Sequence, residues 1–443
     1  MKLRMRSLAG AMAMGLVLMG CSVSVQEAGP DQAVGGGAAA EAENTGRVSI
    51  AGAATGADGA AIQTIIDEAV NAEADFVATY TGSDSFEQNI VIQIEAGTPP
   101  DIGFYPQPGA VLEQAAQGNI IALDDLGFDI TELEARFGSY MMSLGAYEGR
   151  YYGMPDTLNF KSAIWYSPPA FEEAGYAIPG TWDELLALSD QIVADGKSPW
   201  CIGTGSEAAT GWPATDWLED IVLRQAGTDV YDAWVTGDQP FDSPEIRAAF
   251  ETFGDVIFTE GYVFGGHENI ASTDFRDAPD PMFRDDPPCY LHRQATFIPS
   301  FFPEGLTPIE DYDFFPFPPI DGQEGVLMAG GMSVVFNNRP EVRDFLDRYT
   351  HADVQCRFGS TGTGSSISAN FTVDPDCYEN PLTQQAAATL STALQDEVAR
   401  FDASDLMPPA VGSGEFWNGM NTYTNTGPDS LDTLLPAIDA AFP

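Results

Sequence analysis

Between residues 47 and 105 short β-prone runs alternate with helix-prone ones, and that alternation restricts the fold of this chain more than any other feature. Residues 47–52, 75–80 and 101–105 read as strands, with a helix over 58–72 and a Pro99-Pro100 break before the third strand. Strands joined through helices pair in parallel, so the pattern predicts an α/β fold of βαβ units on a parallel sheet. Apolar strands return at 314–318 and 332–336, after a helical middle, which implies that the chain revisits its first domain. At 443 residues the sequence exceeds the roughly 100–200 residues of a single domain, so two domains are expected. The sequence carries no internal repeat.

The helical middle carries its own start signals. Thr181-Trp182-Asp183-Glu184 is a capping box opening a helix with Leu185, Leu188 and Ile192 on one stripe, ending near Gly196. Asp242-Ser243-Pro244 starts a second, with Ile246, Phe250, Phe253 and Ile257 at helical spacing, and Arg339-Pro340 a third, with Val342, Phe345, Leu346 and Tyr349. These stripes read as core.

Lys and Arg number 18 against 66 Asp and Glu, a formal charge of −48 that repels a phosphate backbone and excludes nucleic acid as the main partner. Three of the cations, Lys2, Arg4 and Arg6, precede an apolar run over 8–20 that is shorter than the roughly 20 residues of a membrane span and reads as a signal peptide over 1–20. It ends Leu18-Met19-Gly20-Cys21, similar to a bacterial lipobox in which Cys21 becomes the lipidated first residue. Residues 21–45, with a Gly35-to-Ala40 run of only Gly and Ala, read as a flexible tether spanning about 27 Å. The expectation is an extracytoplasmic monomer that meets the cell membrane through its lipid anchor only.

Four cysteines remain, Cys201, Cys289, Cys356 and Cys377, an even number in an oxidising compartment, and two disulfides are expected. Of three connectivities, 201–289 with 356–377 is preferred. With no C-x-x-C and with His267, His292 and His351 dispersed, no metal site is expected, and no cofactor.

Nor does any catalytic motif occur: no G-x-S-x-G, no H-E-x-x-H and no P-loop, and acidic pairs such as Asp124-Asp125 are unavoidable at this composition. Instead, aromatic residues stand beside turn-formers: Gly103-Phe104-Tyr105-Pro106-Gln107, Thr210-Gly211-Trp212-Pro213, Pro299-Ser300-Phe301-Phe302-Pro303 and Gly414-Glu415-Phe416-Trp417. Flat rings can stack on the C–H face of a pyranose while nearby polar groups pair with its hydroxyls, a chemistry that suits a neutral sugar.

Ala96-Gly97-Thr98-Pro99-Pro100-Asp101, Gly149-Arg150-Tyr151-Tyr152-Gly153-Met154-Pro155 and Pro179-Gly180-Thr181-Trp182-Asp183-Glu184-Leu185 resemble, in order and spacing, segments of the family 1 solute-binding proteins of bacterial ABC importers. Gly211-Trp212-Pro213-Ala214-Thr215-Asp216-Trp217, Cys289 to Ala295 and the ending from Phe416 look most like α-glucoside-binding members. The resemblance implies a two-lobed periplasmic-binding-protein fold of class II type, with its ligand cleft at the hinge between lobes. It puts 46–155 plus 316–359 in lobe 1 and 156–315 plus 360–443 in lobe 2. It implies no enzyme but a receptor that captures a neutral α-glucoside, such as sucrose, trehalose or maltose, or an oligosaccharide by hinge closure and delivers it to permease subunits. The alternatives are a same-fold receptor for another solute such as a polyol, and an extracellular glycoside hydrolase.

Carried over to this chain, the resemblance places Thr55 and Gly56 after the first strand, Tyr105 and Gln107 after the third, Glu207 and Trp212 in the second lobe, and Phe301 and Trp417 in an aromatic cradle. Thr55-Gly56 replaces the Asp-Lys pair of maltodextrin binders, and Pro108 stands where an acid is expected. Lys161, one of two lysines beyond the signal segment, either reaches the cleft or makes a surface salt bridge.

Overall fold

The computed structural model describes residues 44–359, 361 and 366–443. The signal peptide, Cys21 and nearly all of the tether expected over 21–45 lie outside the described residues. Thr45 already belongs to the folded body, its N–H bonded to Glu341 Oε1 at 2.7 Å.

Alternation of buried Val48 and Ile50 with outward Arg47 and Ser49 sets one face of β1 (Arg47–Gly52) against the core. The strand pairs in parallel with β2 (Val77–Gly82) and β3 (Ile102–Tyr105), and the helix between β1 and β2, Gly56–Ile65 continued as a π-turn to Asn71, covers a face of this sheet. β4 (Ala146–Tyr147) and β5 (Arg150–Tyr151) form a separate hairpin. β6 (Met154–Phe160) returns to the first sheet, after which the chain leaves it at Lys161-Ser162.

The second sheet has the order β10-β7-β9-β8, from β7 (Ala163–Tyr166), β8 (Ser198–Trp200), β9 (Cys289–Arg293) and β10 (Asp313–Pro316). The three expected helices form where their signals stand, as Trp182–Ala194, Pro244–Ile257 and Pro340–Tyr349. At the first, Thr181 Oγ1 accepts from the Glu184 N–H, while the Glu184 carboxylate reaches Gly180 N–H rather than the cap residue's own.

The chain then crosses back. β11 (Val326–Val335), β12 (Ile367–Ser368) and β13 (Ala399–Phe401) join the first sheet, whose order is β12-β6-β11-β3-β1-β2 with β13 beside β11. β11 runs antiparallel to both β3 and β6, so the sheet expected to be parallel from the N-terminal alternation is mixed, parallel through β2-β1-β3 and between β11 and β13. Two boundaries also move. The first crossing falls at Lys161-Ser162 rather than after Pro155, because β6 completes its pairing with β11 through Phe160. Residues 366–401, part of the 360–443 read as second-lobe chain, contribute β12 and β13 to the first sheet through hydrogen bonds to β6 and β11. That placement brings Cys377 beside Cys356, and the disulfides are Cys201–Cys289 and Cys356–Cys377. After β13 the chain crosses a third time, and the helices Trp417–Thr426 and Leu431–Asp439 bury Met420, Tyr423, Leu435 and Ile438 in the apolar cluster of the second sheet.

Candidate functional site

Three strands of chain pass between the sheets, and one dipeptide gathers them. Lys161 donates its N–H to the Leu327 carbonyl (2.9 Å), Phe317 donates to the Ser162 carbonyl (2.7 Å), and Ser162 Oγ accepts from the Leu327 N–H (2.8 Å). Asp402, on the third crossing, donates its N–H to the Met328 carbonyl (2.8 Å) and takes the Lys161 ammonium on its carboxylate. The same ammonium meets Asp216 Oδ1 at 2.8 Å. Below it, Ser162 Oγ donates to Asp220 Oδ1 (2.5 Å), and Asp220 is also held by Arg224 (2.7 Å) and Arg293 (2.5 Å). Arg224 reaches on to the Phe317 and Gly325 carbonyls, tying the second crossing to the same cluster.

Burial and neighbouring charges compete at each group of this hub. Burial disfavours the Lys161 ammonium, but Asp216 and Asp402 overcome that and raise its pKa. Asp402 is held below the usual carboxylate range, burial being outweighed by Lys161. Burial first, then the Asp402 charge, pushes Glu219 and Asp405 well above it. Asp216, Glu219 and Asp402 bring carboxylate oxygens within 4.8 Å of one another, but the Lys161 ammonium, bonded to two of the three, already supplies the cation there.

Above the hub, groups from both sides enclose a cavity of about 440 Å³. Of the residues expected at the site, Thr55, Tyr105, Gln107, Lys161, Trp212, Phe301 and Trp417 line it. Gly56 and Glu207 are exposed and stand outside the lining, although their neighbours Ala57 and Ser206 belong to it. Lys161 makes no surface bridge: its side chain is 6% exposed, at the back of the cavity, with Nζ 5.2 Å from the Trp212 ring centroid.

Local structure explains the two tryptophans. Gly211 caps the helix Trp212–Gln225 at φ 118°, a conformation that favours glycine, and a Cβ there would collide with the Trp417 carbonyl. Close approach of these two segments is what sets both indoles at one wall. A π-helical turn, Ala410–Phe416, immediately precedes Trp417 and buries Phe416 against Trp234 and Phe241, leaving Trp417 to face the cavity. Its indole N–H donates to Ser404 Oγ (3.2 Å), which donates in turn to Asp402 Oδ1 (2.8 Å).

Sequence reasoning missed most of the polar lining. Asp58, Asp84, Glu87, Asp156, Asp402 and Asp405 all line the cavity, against two cations, Lys161 and Arg276. Arg276 is committed to Asp84 (2.5 Å) and Asp274 (3.3 Å). Burial raises the pKa of Asp58 and of Glu87, whose carboxylate accepts from Gln107 Nε2. Asp156, bonded to Ser333 Oγ at 2.6 Å, is pushed up by burial to about 6. Gln107 Oε1, Asn159 Oδ1 and Tyr105 OH are buried there with no protein partner. The only local signals that could have pointed here are the run Phe401-Asp402-Ala403-Ser404, which reads as a helix cap, and Arg276 beside Phe275 in a cation-poor chain.

Comparison with known proteins matches residues 53–355 to the bacterial extracellular solute-binding protein family. The alpha-glucosides-binding periplasmic protein AglE of Rhizobium meliloti (strain 1021) is 40% identical over 362 residues, 80% of this chain and 78% of its own length. The osmoprotective compounds-binding protein GgtB of Synechocystis sp. is 37% identical over 366 residues, 82% of this chain and 85% of that one. The solved structure of the bacterial solute receptor AcbH, at 17% identity, has a TM-score of 0.75 and covers 89% of this chain and 97% of its own. The architecture is thus the two-lobed periplasmic-binding-protein fold, and the chain belongs to the bacterial extracellular solute-binding proteins.

Proposed function

We propose that this chain is the substrate-binding lipoprotein of an ABC sugar importer, anchored through Cys21, which captures a neutral α-glucoside between its lobes and delivers it to permease subunits. One observation carries the reading: indole and phenyl rings (Trp212, Phe301, Trp417) share an enclosed cavity with carboxylates and unpartnered amide oxygens, and both lining cations are already ion-paired. Rings offer stacking area, acceptors await hydroxyl donors, and an anionic ligand would find no free counter-charge. A cavity of about 440 Å³ lies within the range of roughly 300–1,000 Å³ usual for small-molecule sites. The 40% identity to a protein named for α-glucosides supports the same class of ligand. Binding rather than catalysis is the mechanism: ligand stabilises the closed lobes by its greater affinity for them.

Calorimetry with sucrose, trehalose, maltose and unrelated solutes tests this. Binding of at least one α-glucoside, recovered intact after prolonged incubation, is expected; release of monosaccharide would establish the glycoside hydrolase instead. The 37% identity to GgtB favours a second reading, a receptor for an osmoprotective solute such as a polyol, and preference for such a solute over every disaccharide would select it. Anchoring is checked separately by the mass of the processed N-terminus, which should begin at an acylated Cys21.

A further inference from the structure

One ion pair ties the two lobes together away from the hub. Asp84 follows β2 on the first sheet, and Arg276 sits in a loop bridged to Gly205 beyond the second sheet, yet Arg276 Nη2 and Asp84 Oδ1 are 2.5 Å apart. Both residues line the cavity and both also reach solvent, with side chains 24% and 34% exposed, whereas Lys161 and Asp402 at the back are 6% and 1% exposed. The pair therefore stands at the rim.

Each partner is held on its own lobe before it meets the other. Thr55 Oγ1 donates to the same Asp84 oxygen (2.9 Å). Arg276 is fixed by its N–H and guanidinium bonds to Asp274 (2.9 and 3.3 Å) and lies over the rings of Phe275 and Phe301, 4.8 and 5.7 Å from their centroids. A second contact crosses beside it, where Asp58, after β1, is hydrogen-bonded to Ser300. Pre-organised partners lose little freedom on joining, so the contact favours closure without touching the ligand.

We propose that Arg276 and Asp84 form a latch across the cavity rim that selects saccharides by length. A ligand lying wholly behind the pair leaves it intact, whereas a chain extending through the rim must break it, leaving Asp84 with only Thr55 and Arg276 with only Asp274 and the rings of Phe275 and Phe301. Arg276 and Asp84 are in this sense specificity-determining residues, acting on closure, for the sugar-receptor function proposed above, on which the inference rests.

The test uses the full chain and the variants R276A and D84N, titrated with two series, maltose to maltotetraose and sucrose to raffinose, together with small-angle scattering without sugar. The wild type is expected to bind the disaccharide of its preferred series at least tenfold tighter than the longer members. In both variants the disaccharide should dissociate about tenfold faster, as for loss of one charge-assisted hydrogen bond, and the length preference should narrow to about threefold. Their unliganded radius of gyration should also exceed that of the wild type. A wild type that binds long and short members equally, or a preference unchanged in both variants, overturns the latch. Should the wild type bind no sugar, the receptor reading falls, and the scattering still decides: equal unliganded radii in all three proteins overturn the latch.

Discussion

Trp417 joins the cavity wall to the hinge within one side chain, because its ring lines the cavity and its N–H leads through Ser404 to the Asp402 that Lys161 grips. Trp417→Ala should weaken sugar binding by about 1–3 kcal/mol, the loss typical of a buried aromatic anchor, while Glu207→Ala, outside the lining, should leave calorimetric affinity unchanged. Asp156 makes a prediction in pH. Its folded pKa of about 6 lies above the unfolded value of 3.8, so its contribution is fully present below about pH 4 and is lost as pH rises through 6. Two units correspond to about 3 kcal/mol; Asp402 and Asp220, whose pKa values are lowered, act in the opposite sense. Asp156→Asn should therefore gain on the wild type by about that amount between pH 4 and 7.5 in denaturant titrations. A constant difference would refute the assignment. The aromatic lining was legible in the sequence because Gly and Pro beside Trp212 and Trp417 are local signals. Arg276 and Lys161 were not legible in their roles, since their partners lie 192 and 241 residues away.

At the scale of elements, helices were the readable part: a cap residue and a 3.6-residue stripe are both local, and Ser243 and Thr181 cap where the pattern says they should. The crossings were not readable. What ends the first-sheet path at Phe160 is the register of β6 on β11, set by residues far downstream, and the antiparallel course of β11 follows from the same long-range pairing. The hub that fixes these crossings is costly to disturb. Removing the ammonium with Lys161→Met leaves Asp216 and Asp402 buried without their shared counter-charge, which should cost about 3–5 kcal/mol, as for a broken buried pair. A shift of the denaturation midpoint with little change in its slope is the expected readout. Loss under 1 kcal/mol would mean that the two acids simply share a proton and the lysine holds nothing together.

Across the whole molecule two electrostatic regimes coexist, and salt separates them. The hub is buried and hydrogen-bonded, so ions in solution screen it little. The surface carries most of the excess of 66 acids over 18 cations, and its exposed pairs, such as Arg150 with Asp124 and Arg247 with Asp432, are worth at most about 1 kcal/mol each. Raising NaCl from 0.05 to 1 M shortens the Debye length to about 3 Å. It weakens those few pairs and the much more numerous acid–acid repulsions together, so the second effect wins and the melting temperature should rise. A neutral ligand adds no charge, and its stabilisation, about 2.7 kcal/mol at a hundred times its dissociation constant, should be nearly the same at both salt concentrations. Only the rim pair of Arg276 and Asp84, partly exposed, gives binding a salt dependence, and it should make the disaccharide modestly weaker at high salt in the wild type and not in R276A. A melting temperature that falls with salt would mean that surface ion pairs, rather than the repulsion among acids, govern the stability of this protein.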